Sequence, residues 1–215
     1  MIRRVHRRFL ALLLAFAPAL VHGADDGREI VRRMAERYGL EAFEQAERLR
    51  FTFNVVRDDR ENLARTWIWR PDAKRVTWED RGITYTRETD AADPSVDQKF
   101  INDSYWLVFP FHLARDPDVT LKPLERAKSP IRGEPCNVLR VSYGDSAGYT
   151  PGDVYTLYYN DAYVIREWVY QSGGEGEGWP VAWGQPERVG GVLIHKRFTQ
   201  KDGSVKIRFT DVSIR

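Results

Sequence analysis

Gly144-Asp145-Ser146-Ala147-Gly148 matches the G-x-S-x-G pattern of a nucleophile elbow. Asp153 or Asp161, and then His195, follow it in the order Ser…Asp…His. Such a set would support acyl transfer, with serine as nucleophile, histidine as base and a carboxylate to orient it. An elbow requires a strand before the serine and a helix after it, whose N-terminus helps to hold the oxyanion. Here Gly148, Pro151 and Gly152 follow, and the chain runs on into another strand-like segment. The pattern is expected to be a polar hairpin loop, and a secreted serine hydrolase using Ser146 is the weakest of three readings. Metal chemistry finds less support. Beyond residue 23 the histidines are His112 and His195, and Cys136 is the one cysteine. No ligand spacing is recognisable, so no metal or cofactor is expected. Glu88, Asp90, Asp93 and Asp97 suit a solvated loop, and Glu175 and Glu177 sit in the glycine-rich run 173–178. Glycine at that density resists ordering, which is poor ground for acid–base catalysis. Asn102-Asp103-Ser104 fits a glycosylation sequon and carries no other chemistry.

The residues that do form a pattern are aromatic. Phe51 and Phe53, Trp67 and Trp69, and Trp168 and Tyr170 stand two apart within strand-like runs. Residues i and i+2 of a strand share one face of a sheet. A face so lined needs a covering layer or a ligand, because exposed apolar patches of that size are rare. The spacing predicts a curved sheet around an apolar cavity. Its proposed lining is Phe51, Phe53, Trp67, Trp69 and Trp78 from the sheet, with Tyr105, Trp106 and Phe109 from a covering lid. Arg50 and Arg70 either tie that lid to the sheet by hydrogen bonds to backbone carbonyls or simply face water.

The N-terminus reads as an address. Arg3, Arg4, Arg7 and Arg8 precede the apolar run Phe9–Leu20, and Val21-His22-Gly23 precedes Ala24. This is the pattern of a cleavable secretory signal covering residues 1–23, too short to span a bilayer. Of the 33 Lys and Arg, four leave with it and no acid does, so 29 basic face 31 acidic residues, a net charge of −2. That balance gives no reason to expect nucleic acid or an anionic membrane as partner. With one cysteine no internal disulfide can form, and Cys136 is expected to be a small buried residue. Residues 24–215 suit a single domain with a sizeable core.

Helices are expected at Arg28–Tyr38, stopped by Gly39, at Leu40–Glu47, and at Val96–Phe109, ending before Pro110. The rest reads as strands: Leu49–Arg57, Leu63–Arg70, Lys74–Asp80, Ile83–Glu88, Val119–Arg126, Cys136–Tyr143, Val154–Tyr159, Tyr163–Gln171, Pro180–Trp183, Val189–Gln200 and Val205–Ile214. Short links imply antiparallel hairpins. The fold class is mainly β with a helical lid (α+β), an antiparallel sheet of about eleven strands that curls into a barrel or half-barrel.

The order of motifs resembles a known family. Tyr38-Gly39-Leu40-Glu41-Ala42-Phe43 leads into Leu49-Arg50-Phe51-Thr52-Phe53, then Trp67-Ile68-Trp69-Arg70-Pro71 with Trp78, then a helical insert ending Tyr105-Trp106-Leu107-Val108-Phe109-Pro110-Phe111. This resembles the outer-membrane lipoprotein carrier superfamily, the LolA/LolB-like fold. The resemblance implies an unclosed half-barrel with two or three helices across its concave face. Together with the secretory signal and the expected cavity, it points to a non-enzymatic, monomeric carrier or binding protein for a hydrophobic ligand such as a lipid or acyl chain, periplasmic in a Gram-negative source and otherwise secreted, in a branch apart from the lipoprotein chaperone itself. The lipid-attachment cysteine of the anchored branch is absent, so no stable membrane anchor is expected. The alternative is a periplasmic interaction or sensor module with a filled core that meets a protein partner at its rim.

Overall fold

The computed structural model describes residues 26–57, 60–87, 93–144, 151–202 and 205–215. Helix α1 spans Gly27–Tyr38 and turns at once into the short α2, Leu40–Glu44. Asp26 caps α1 by accepting from the Arg28 amide at 3.3 Å. Ile30, Val31, Met34 and Tyr38 form its buried face, while Glu29, Arg32 and Arg33 pair on the other. Gly39 ends it with φ +96°, and a Cβ there would lie 2.6 Å from the carbonyl oxygen of Gly191. Both the left-handed angle and the close approach require glycine. Gly39→Ala is expected to destabilise by more than about 1 kcal/mol. An unchanged urea midpoint would refute that.

The strands are β1 (Leu49–Arg57), β2 (Arg60–Arg70), β3 (Arg75–Trp78) and β4 (Ile83–Thr86). After helix α3 (Pro94–Arg115) come β5 (Val119–Lys128), β6 (Pro135–Tyr143), β7 (Val154–Tyr159), β8 (Ile165–Gln171) and β9 (Trp179–Trp183). The series ends with β10 (Pro186–Val189), β11 (Val192–His195), β12 (Arg197–Thr199) and β13 (Val205–Ile214). Eleven of these form one antiparallel sheet in the order β4-β3-β2-β1-β13-β12-β9-β8-β7-β6-β5. Its edges, β4 and β5, do not pair, so the barrel is unclosed. The remaining two, β10 and β11, make a separate hairpin.

Two expectations need correction. The run Val189–Gln200 is not one strand. Gly190 and Gly191 have φ +56° and +83° and reverse the chain, so that Val189 pairs with Val192. Two successive positive φ values make the tight turn that suits strand twist. The helix expected to stop before Pro110 runs on to Arg115. Val108 leaves helical angles (φ −129°, ψ 33°), which accommodates the ring and missing N–H of Pro110 as a kink. Asp93 caps this helix through the Ser95 amide at 3.0 Å, and Pro94 occupies the first turn.

Candidate functional site: an aromatic cleft under a tied lid

Alternation along β1 and β2 turns Leu49, Phe51, Phe53, Trp67 and Trp69 to the concave side, where all are buried. Helix α3 lies over them. Phe100 meets Trp67 and Trp69 edge-on at 5.6 and 5.4 Å. Trp106 meets Trp168 at 4.8 Å and Phe198 at 5.2 Å, while Phe109 lies between Tyr155 and Trp168.

Polar ties hold the helix down along its length. Asp103, wholly buried, accepts from Arg65 Nε at 2.7 Å and Nη2 at 2.5 Å, from Trp67 Nε1 at 2.8 Å and from Asn102 Nδ2 at 3.0 Å. Burial pushes its carboxyl above the usual carboxylate range, against the pull of Arg65, Trp67 and Asn102. All four partners are N–H donors, as an ionised carboxylate requires. Nearer the start of the helix, Asp97 accepts from the Tyr85 hydroxyl and Arg87 Nε, both at 2.9 Å. Just past its end, Asp116 accepts from the hydroxyls of Tyr105 and Tyr143, both at 2.8 Å. Arg50 and Arg70 do not serve as ties. Arg50 pairs with Glu79, and Arg70 lies on the convex face, because both are one residue out of phase with the inward set.

Between the first half of α3 and strands β7–β9 lies a cleft of about 280 Å³, walled by Tyr105, Trp106, Tyr155, Trp168, Tyr170 and Trp179. Gln98, Asn102 and Asp153 are its polar members. Across Trp106 lies a second hollow of about 490 Å³, bounded by Phe53, Val55, Arg65 and Ile207. The two share Asn102, Trp106 and Trp179 in their walls. The indole N–H of Trp168, in the cleft wall, is buried without an acceptor. A third hollow, about 460 Å³, lies on Phe43, Trp69, Phe111 and His112, with Arg87 and Arg115 beside it.

The eight residues singled out by spacing therefore divide. Tyr105 and Trp106 wall the cleft, Phe53 bounds the second hollow and Trp69 the third. Phe51 and Phe109 are buried in ring packing, as is Trp67, which packs against the half-buried Trp78 at 5.1 Å. Tyr155, Trp168, Tyr170 and Trp179 join the site although they were not among the eight. The i, i+2 pair Trp168/Tyr170 carried the signal for two of them.

Residues 145–150, with Ser146, lie outside the described residues, as do residues 1–25. Of the possible triad partners, Asp153 accepts from the Tyr170 hydroxyl at 3.0 Å and the Gly173 amide at 2.9 Å, and Asp161 pairs with Arg126. His195 is buried with both ring nitrogens engaged. Nδ1 donates to the Gly184 carbonyl at 2.6 Å, and Nε2 accepts from the Tyr38 hydroxyl at 2.9 Å. Burial lowers its pKa to about 4. His112, buried on the inner side of α3, lies with Nε2 at 3.1 Å from Ser104 Oγ, which is also 3.0 Å from the Ile101 carbonyl. Burial lowers its pKa to about 3, which keeps it neutral. Among the described residues no three His, Cys, Asp or Glu converge as a metal site, and no helix is long and apolar enough to cross a membrane.

No protein-family model matches the sequence, and no curated protein is significantly similar to it. Solved structures are similar in fold. A LolA superfamily protein from Nitrosomonas europaea superposes with a TM-score of 0.52 at 13% identity, over 86% of this chain and 93% of that one. A DUF1329 family protein from Desulfovibrio piger superposes with a TM-score of 0.50 at 9% identity, over 87% and 91%. The chain has a LolA-like fold.

Proposed function

We propose that residues 24–215 act as a single mature periplasmic domain, released from a signal at residues 1–23, that carries a hydrophobic ligand without transforming it. The observation that carries this reading is the aromatic-walled cleft under α3, continued past Trp106 by a second hollow. Pockets of this size, mostly apolar with a few polar groups, suit a lipid or acyl chain. Each methylene buried there would contribute about 0.8 kcal/mol. The proposed ligand set is Tyr105, Trp106, Tyr155, Trp168, Tyr170 and Trp179, with Phe53 in the adjoining hollow and Trp69 in the separate third one.

Native mass spectrometry of the gently purified mature protein tests this. An adduct of lipid mass is expected, identified by solvent extraction. Trp179 is partly exposed, so Trp179→Ala should leave the fold standing while weakening ligand affinity at least tenfold. A bare mass, with no uptake of added oleate or phospholipid, would sink the carrier reading and favour a protein-interaction module.

A further inference from the structure

The convex face of the sheet carries a row of arginines. Arg70 and Arg75 are direct partners across the β2–β3 ladder. Leu49 pairs with Trp69, so the residue before it, Arg48, stands next to Arg70. Arg48 in turn exchanges both backbone hydrogen bonds with Arg215. Arg48, Arg70 and Arg75 line one shallow depression of about 650 Å³, floored by Ile68 and bordered by Thr77 and Thr84.

One feature of this row is unfavourable as it stands. Like charges placed directly opposite each other across a ladder destabilise it. Yet Arg48, Arg70 and Arg75 make no ion pair among the described residues, and Asp72 in the intervening turn reaches none of them. Arg50 on the same face is by contrast matched to Glu79. One kind of ligand would relieve this repulsion: an anion with several acceptor oxygens, for which the guanidinium fork is shaped.

We propose that this depression binds a phosphate group, on a lipid headgroup or a free phosphate ester, through Arg48, Arg70 and Arg75. The site is on the opposite side of the sheet from the cleft and does not depend on what the cleft holds.

Thermal melts in inorganic phosphate and in chloride at matched ionic strength test it. Phosphate at tenfold over its Kd should raise Tm by about 3–6 °C relative to chloride. Arg70→Gln/Arg75→Gln should melt higher than wild type in chloride, because repulsion is relieved, and should lose the phosphate increment. A purely structural role would lower its Tm instead. Arg48→Gln removes the third positive charge and should weaken phosphate binding about tenfold. Sedimentation with phosphatidylcholine vesicles containing one-third phosphatidylglycerol, lost in the double variant, would assign a lipid headgroup. Phosphate protection without vesicle binding would assign a free ester. A wild-type Tm no higher in phosphate than in chloride, or an increment that survives in the double variant, overturns the site.

Discussion

Asp103→Ala should destabilise the protein by about 3–5 kcal/mol, since it strands a buried charge. The substitution leaves the Arg65 guanidinium facing an apolar lid and removes the acceptor of the Trp67 indole N–H. Removing both charges together is different. Arg65→Met/Asp103→Leu fills similar volume with apolar groups and should recover the part of that loss due to the stranded charge, because the pair's attraction is largely offset by its desolvation, while the Trp67 N–H stays without its acceptor. Urea unfolding of the two single variants and the double variant measures the coupling. A loss below about 1 kcal/mol in Asp103→Ala would show that this ion pair contributes little and that ring packing and the other ties hold the lid.

Acid should unfold the protein well above the ordinary carboxylate range. His112 and His195 are buried and neutral, with pKa values lowered to about 3 and about 4. In the unfolded chain each takes a proton near pH 6.5, so the unfolded state binds more protons below that pH. The stability they confer is full above pH 6.5 and is lost as pH falls from there towards 4, and for His112 towards 3. The loss between pH 7 and 5 is about 2 kcal/mol per histidine. Asp103 and Asp116, whose carboxyls burial pushes up, act in the opposite sense and blunt part of it. Urea midpoints at pH 7 and pH 5 should therefore differ, and His195→Gln should flatten the difference by about half. Equal midpoints in the wild type would mean that these rings are reached by water.

Much of the frame was legible because it follows from local periodicity. The i, i+2 aromatics of β1, β2 and β8 mark the inner face, since a strand has no other way to place large apolar groups. Gly39 marks a helix end because few other residues adopt its angle. What escaped depends on partners distant in sequence. Asp103 sits in a sequon-like triplet, and its role appears only when Arg65, on another element, is brought beneath it. Arg50 and Arg70 look like equally good ties until the pleat turns them outward. The continuation of α3 past Pro110 depends on a single residue, Val108, absorbing the kink, which no composition rule reveals. The hairpin hidden within Val189–Gln200 hinges on a Gly-Gly pair inside an apolar run, where local propensity favours one long strand.

The connection between the sheet's two free edges is α3 itself, since it follows β4 and precedes β5. The helix thus works as a bowstring. Its 22 residues, at 1.5 Å each, would span about 33 Å if straight, and it is anchored near β4 by Asp97 and near β6 by Asp116. The arc of the bow is the eleven-stranded sheet, so string length and sheet curvature are one variable. Inserting a helical turn before Val108 would slacken the string and let the arc flatten. The room beneath the helix would then be set by a length of chain that touches none of the cleft's walls.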